Sequence, residues 1–183
     1  MFIQTEDTPN PATLKFLPGR SVMASGTAEF RNVVEAAASP LARRLLSIEG
    51  IEGVFFGSDF VSVTKRDGRD WIMLKPHVLG AIMEHYMVGG PAVENAAETA
   101  EAAESDPIIL QIRELIETRV RPAVAQDGGD ITFVRFDDGV VYLRMQGACA
   151  GCPSSTMTLK SGIETMLKHY VPEVRAVEQA DSL

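Results

Sequence analysis

The sequence predicts an α+β protein made of two small domains. Three observations carry this expectation. Both halves interleave short alternating strands with helical apolar stripes, an acidic Ala/Glu-rich stretch separates them, and the halves share no repeated motif. The expected boundaries are 1–88 for the first domain, 89–106 for a flexible acidic linker, and 107–183 for a second domain with the element order α-β-β-α-β.

In the first half, Met1 to Leu17 reads as a strand, a turn at Thr8-Pro9-Asn10-Pro11, and a second strand over Thr13-Leu14-Lys15-Phe16. A further short strand is expected between Gly26 and Asn32. Ser39-Pro40 is a helix start, a good N-cap followed by proline at the first helical position, with Leu41, Leu45 and Ile48 at helical spacing behind it. Val54-Phe55-Phe56 and Phe60 to Lys65, joined by Gly57-Ser58-Asp59, form a β-hairpin pattern. Val78, Ile82, Met83 and Tyr86 predict a helix that begins after Lys75-Pro76.

From Gly89 to Asp106 there are five acidic residues and no Lys or Arg. This stretch carries −5 of the total net charge of −8, against −1 for 1–88 and −2 for 107–183. With no large apolar residue beyond Val93 it is expected to be a solvated linker or a short exposed helix.

The second half opens on a helical stripe of Ile108, Ile112, Leu115, Ile116 and Val120, which Pro122 should kink or end near Arg121. Asp127-Gly128-Gly129-Asp130 reads as a turn. Ile131 to Phe136 and Val140 to Met145 follow as a hairpin through Asp138-Gly139. After the cysteine loop, Leu159, Ile163, Met166, Leu167 and Tyr170 mark a helix that Pro172 ends, and Val174 to Glu178 returns as a strand.

At 183 residues and 45% hydrophobic content, the chain has the size and composition of a globular protein. A net charge of −8 with no basic tract argues against a nucleic-acid partner, since phosphate contacts need clustered Lys and Arg. No apolar run is long enough to cross a bilayer, and residues 1–20 lack the apolar core of a secretory signal, so no membrane partner is expected. Two cysteines do not make a disulfide framework at this length, which points to a reducing compartment: the cytoplasm of a bacterium, or the mitochondrial matrix for a processed organellar chain.

Both cysteines lie in Gly147-Ala148-Cys149-Ala150-Gly151-Cys152-Pro153-Ser154-Ser155-Thr156, between a strand and a helix. The glycines allow sharp turns, Cys152 before proline should be extended, and Pro153 suits a first helical turn. Both sulfurs should then sit near a helix N-terminus, whose free N–H groups and dipole favour a thiolate or an anionic metal–thiolate centre. A metal, an iron–sulfur cluster and a cycling disulfide all remain open, as do two inert buried cysteines. Ligand counting narrows the metal readings. Structural zinc and iron–sulfur clusters want four donors, one chain offers Cys149 and Cys152, and His77, His85 and His169 are poorly placed to help. Two copies supply 2 + 2 thiolates, so the expected centre is shared across a symmetric dimer, exposed and easily dismantled. A thiol–disulfide exchange protein using the same C-x-x-C is the rival, although an antiparallel hairpin precedes the motif instead of a thioredoxin-like βαβ context. A zinc-bridged dimer is the third class.

Arg119-Val120-Arg121-Pro122, Asp127-Gly128-Gly129-Asp130-Ile131, the cysteine stretch and Gly162-Ile163-Glu164 together resemble the C-terminal domain of NifU. Ile3-Gln4-Thr5-Glu6 with Thr8-Pro9-Asn10-Pro11, Leu14 to Gly19, and Gly53-Val54-Phe55-Phe56-Gly57 resemble the N-terminal domain of Nfu-type proteins. The resemblance covers nearly the whole chain. It implies a non-enzymatic iron–sulfur cluster scaffold or carrier. A 4Fe-4S cluster, or the 2Fe-2S form, would be held by Cys149 and Cys152 of two subunits in a homodimer. Upstream assembly proteins would load it, and apo client proteins would receive it. The extra cysteine-containing domains of full NifU have no counterpart in this sequence, so a desulfurase-docking scaffold of that type is not expected.

Other residues have plainer readings. Asp127 and Asp130, with two glycines between them, suit turn and cap roles better than acid–base chemistry. His77 and His85 read as surface or core residues and Trp71 as core. Arg144 reads as solvent-facing, while Tyr142 and Met145 are candidates to line the site.

Overall fold

In the computed structural model the described residues are 1–94, 106–150 and 153–180. They belong to two compact units, divided between Thr99 and Ala100. Both are α+β, as the sequence predicts.

The first unit contains β1 (Gln4–Asp7), β2 (Thr13–Leu17), β3 (Ala28–Phe30), a 3-10 turn (Glu35–Ala38), α1 (Pro40–Leu46), β4 (Ile51–Phe56), β5 (Val61–Lys65) and α2 (Trp71–Val88). The strands form one antiparallel sheet in the order β1-β2-β5-β4-β3. Strand alternation puts Leu14, Phe16, Val54, Phe56, Val61 and Val63 in one core with Leu41 and Leu45 of α1 and Leu74, Val78 and Ile82 of α2. The residues between them, Lys15, Ser62 and Phe55, stand in register across three strands and are also buried. Lys15 is kept there by Glu6, 3.2 Å away, and by the ring of Phe60, 4.9 Å from its Nζ.

Ser39 caps α1 as expected, its hydroxyl accepting from the Ala42 N–H at 3.0 Å. The same hydroxyl donates to the carbonyl of Ala92, and the Glu94 N–H reaches the Ala38 carbonyl at 2.7 Å. Ala92 is buried and Val93 packs on the core, so the packing of this unit runs past residue 88 into the stretch read as linker. The remainder of that stretch, 95–105, lies outside the described residues.

The start of α2 differs from the sequence expectation. The helix begins at Trp71, because Asp70 caps it by accepting from the Ile72 N–H at 2.9 Å. Pro76 sits inside it. The missing proline N–H deprives only the carbonyl of Ile72, a residue open to water, so the helix tolerates the loss.

The second unit opens with α3 (Pro107–Leu115), a π-turn (Ile116–Val120) and α4 (Arg121–Gln126). Pro122 was expected to end the helix; the π-turn carries it through. The Arg121 N–H bonds the carbonyl of Ile116, five residues back, and Pro122 then falls in the first turn of a new helical segment, where its missing N–H costs nothing. β6 (Gly129–Asp137) and β7 (Val140–Gly147) form the predicted hairpin. Its turn residues Asp138 and Gly139 both have positive φ, 45° and 78°, as a type I′ turn requires. α5 (Pro153–Tyr170) then carries the chain back to β8 (Ala176–Gln179), which lies parallel to β7 in a sheet of order β6-β7-β8. Ile112, Ile116, Val120, Ile131, Leu143, Met145, Ile163 and Leu167 form the core, and Cys149 belongs to it.

Candidate metal centre

Cys149 lies two residues beyond β7. Gly147 ends that strand with φ 62°, a left-handed conformation that favours glycine. Three contacts then hold the loop. The Ala148 N–H donates to the Gly128 carbonyl at 3.2 Å and the Cys149 N–H to the Gln146 carbonyl at 3.3 Å. From the first turn of α5, Thr156 Oγ1 donates to the Cys149 carbonyl at 3.1 Å. Strand, turn and helix start therefore fix the backbone at Cys149, as the sequence pattern anticipates.

The side chain is 6% exposed. Its sulfur rests in room that a glycine leaves. A Cβ on Gly129 would stand 2.4 Å from Cys149 Sγ, and 2.9 Å from both the Cys149 nitrogen and the Gln146 carbonyl oxygen. Cys152 and the side chains of 153–155 lie outside the described residues, including the expected capping serines.

The electrostatics depart from expectation. The sequence suggests an exposed thiolate favoured by a helix end. Burial, and then the carboxylates of Asp127 and Asp130, push the Cys149 thiol up to about 12. Loss of hydration is the larger cause, and the two carboxylates act in the same direction, so both favour the neutral thiol. A cation bound at sulfur would reverse this balance by replacing the proton.

Arg121 organises the acids beside this loop. Its Nε donates to Asp130 Oδ1 at 2.8 Å and its Nη2 to Asp130 Oδ2 at 2.9 Å, while Nη1 reaches both oxygens of Glu117 at 2.8 Å. Asp130 Oδ1 also accepts from the Ile131 N–H at 2.8 Å. Asp130 is therefore the buried partner of an arginine at the start of β6, adjoining the glycine beneath Cys149, and not a turn residue. The available sequence signal was an acid set immediately before an apolar strand, where a charge needs a partner. Asp127 does close the helix, as the C-cap of α4.

The remaining candidates separate. His169 is about 24 Å along α5 from Pro153 at 1.5 Å per residue. His77 and His85 belong to the first unit; His77 is exposed and His85 buried. Met145 shares the core with Cys149, Tyr142 holds the Arg135 guanidinium 4.1 Å from its ring, and Arg144 faces solvent. Among the described residues no three of His, Cys, Asp and Glu are grouped to hold a metal ion, and no helix is long and apolar enough to cross a membrane.

The second unit is a three-stranded α+β domain with a cysteine placed between strand and helix, and the comparisons give its family. Residues 112–178 match the NifU-like domain, and residues 3–89 match the N-terminal domain described as scaffold protein Nfu/NifU. Over 98% of its length the chain is 54% identical to NifU-like protein 4, mitochondrial, of Arabidopsis thaliana, covering 66% of that protein. It is 49% identical to the human NFU1 iron-sulfur cluster scaffold homolog, mitochondrial, covering 98% of this chain and 72% of that protein. The chain spans about two thirds of the length of the curated relatives it matches. A solved NifU-like protein from Saccharomyces cerevisiae is 25% identical, with a TM-score of 0.47 over 52% of this chain and 86% of that chain. The chain belongs to the Nfu-type family of iron–sulfur cluster scaffold proteins, with both family domains in the expected order.

Proposed function

We propose that this chain is a carrier that receives an iron–sulfur cluster, holds it through Cys149 and Cys152 of two copies, and passes it to apo proteins without itself catalysing a reaction. One observation carries the reading. Cys149 is fixed between β7 and α5, among the described residues no three of His, Cys, Asp and Glu are grouped to hold a metal ion, and the sequence supplies only two cysteines. A four-thiolate centre then requires a second chain. A 4Fe-4S cluster is the cargo we assign, loaded by upstream assembly proteins. The relatives' names place those proteins in mitochondria, and we place this chain there as well.

The antiparallel hairpin of β6 and β7 ahead of the cysteines argues against a thioredoxin-like exchange protein, whose C-x-x-C follows a βαβ context. Anaerobic reconstitution with iron and sulfide tests the proposal. The expected product is a brown dimer with about four iron and four sulfide per two chains, and Cys149→Ser or Cys152→Ser abolishes it. A colourless protein with stoichiometric zinc, or one that reduces disulfides catalytically, would overturn the reading.

A further inference from the structure

α2 presents an apolar face to solvent as well as to its own core. At 100° per residue, Leu79, Ile72, Met83, Pro76, Met87, Gly80 and Met73 fall in this order within a roughly 120° arc. This arc lies opposite the buried Leu74, Val78, Ala81 and His85. Ile72 is 79% exposed and Met87 80%, Met73 and Met83 are exposed too, and Leu79 is only partly buried. A helix with two opposite apolar faces is normally covered on both. The exposed large side chains of the arc, Ile72, Met73, Met83 and Met87, offer roughly 500 Å² of apolar surface, within the range of the largest patch a monomer carries.

We propose that this face packs against the same face of a second copy of the chain, as an antiparallel helix pair. The argument is the spacing of the seam. Ile72, Pro76, Leu79, Gly80, Met83 and Met87 are symmetric about one point, midway between Leu79 and Gly80. A two-fold axis at that point brings both central pairs together, sets Pro76 level with the partner's Met83, and sets Ile72 level with the partner's Met87. That is the requirement of an isologous interface. A Cβ on Gly80 would meet nothing within 4 Å, so the centre of the seam is open for a close helix approach. Self-pairing covers roughly 1,000 Å² in total, about the size a specific interface must clear. The charged residues of α2 stay off the arc: Glu84 flanks it on one side and pairs with Arg44 at 2.7 Å on its own chain, and Lys75 lies beyond Leu79 on the other.

This contact is independent of the cysteines. It would hold two chains together before any cluster arrives and raise the effective concentration of one cysteine pair near the other.

Sedimentation equilibrium of the full chain carrying Cys149→Ser and Cys152→Ser, over about 10 µM to 1 mM, a span chosen because a modest interface gives micromolar affinity, tests it free of cluster. The expected mass rises towards twice 19.8 kDa. Met83→Glu, at an exposed position, weakens the association at least tenfold, while Val34→Glu, at an exposed position away from α2, leaves it unchanged. In the same cysteine-free background, mixing an Ile72→Cys chain with a Met87→Cys chain under oxidation yields the mixed dimer in preference to either homodimer. A monomer throughout the range, or a dimer indifferent to Met83→Glu, overturns the proposal and leaves the face to a different partner. Neither outcome bears on whether the wild-type chain binds a cluster.

Discussion

Arg121 and Asp130 form a two-pronged ion pair of unequal burial, with 5% of the acid's side chain exposed and 25% of the base's. The inequality sets the order of damage. Removing the arginine strands a buried carboxylate, whereas neutralising the acid leaves an arginine that still holds Glu117 and can reach water. Arg121→Gln should therefore destabilise the second unit by about 3 kcal/mol, and Asp130→Asn by clearly less. Urea unfolding followed by far-ultraviolet circular dichroism gives both values; equal losses would show that the burial asymmetry does not govern the pair.

Gly129 is the second sensitive point. Even an added methyl would collide with Cys149 Sγ and with two backbone atoms that cannot swing aside. Gly129→Ala should cost about 2 kcal/mol by overpacking and reduce cluster reconstitution in proportion to the displacement of the sulfur. Iron and sulfide content, compared with that of a Gly162→Ala control whose added Cβ meets nothing within 4 Å, reads this effect.

The Cys149 thiol should be chemically quiet in the folded, cluster-free protein. In a Cys152→Ser chain at pH 8, iodoacetamide should modify it at least about 100-fold more slowly than in urea, because both burial and a pKa near 12 suppress the thiolate. The rate should still be climbing at pH 10. A plateau near pH 9 would indicate a thiol in ordinary solvent.

His85 gives the first unit a pH dependence. Burial, and then the Arg44 cation, hold its pKa below the ordinary imidazole value, although a backbone hydrogen bond with Gly90 opposes them. The folded state therefore binds fewer protons here than the unfolded state. The contribution is complete above the unfolded value of about 6.5 and is lost as pH falls through the lower folded value. Trp71, the sole tryptophan of the chain, reports on this unit. Its fluorescence-detected melting temperature should drop on acidification below pH 6.5, and His85→Gln should flatten the drop.

Much of the architecture was legible because it is written locally. The Ser39-Pro40 cap, the hairpin at Asp138-Gly139 and the strand–loop–helix setting of Cys149 each rest on neighbouring residues whose preferences agree. What escaped depends on residues distant in sequence or on a local rule overridden. Pro76 looked like a helix start because proline usually is one, but the Asp70 cap upstream had already begun the helix. The burial of Cys149 depends on Gly129, twenty residues earlier, and on a strand pairing that sets Gly129 opposite Gly147. The charge near the sulfur likewise comes from acids that the sequence assigns to a turn.

The π-turn at Ile116–Val120 amounts to one surplus residue in an otherwise continuous helix. Each residue advances a helix by 100°, so that surplus sets the phase of everything after it. α3 can direct Ile109 and Ile112 into the core, while α4, re-phased, swings Arg121 round to Asp130. Shortening the chain by one residue there would restore an unbroken spiral and point the arginine elsewhere. The π-turn between the two helices thus works as a setting screw: a fixed rotation, written as an insertion, that aligns Arg121 with the acid at the start of β6.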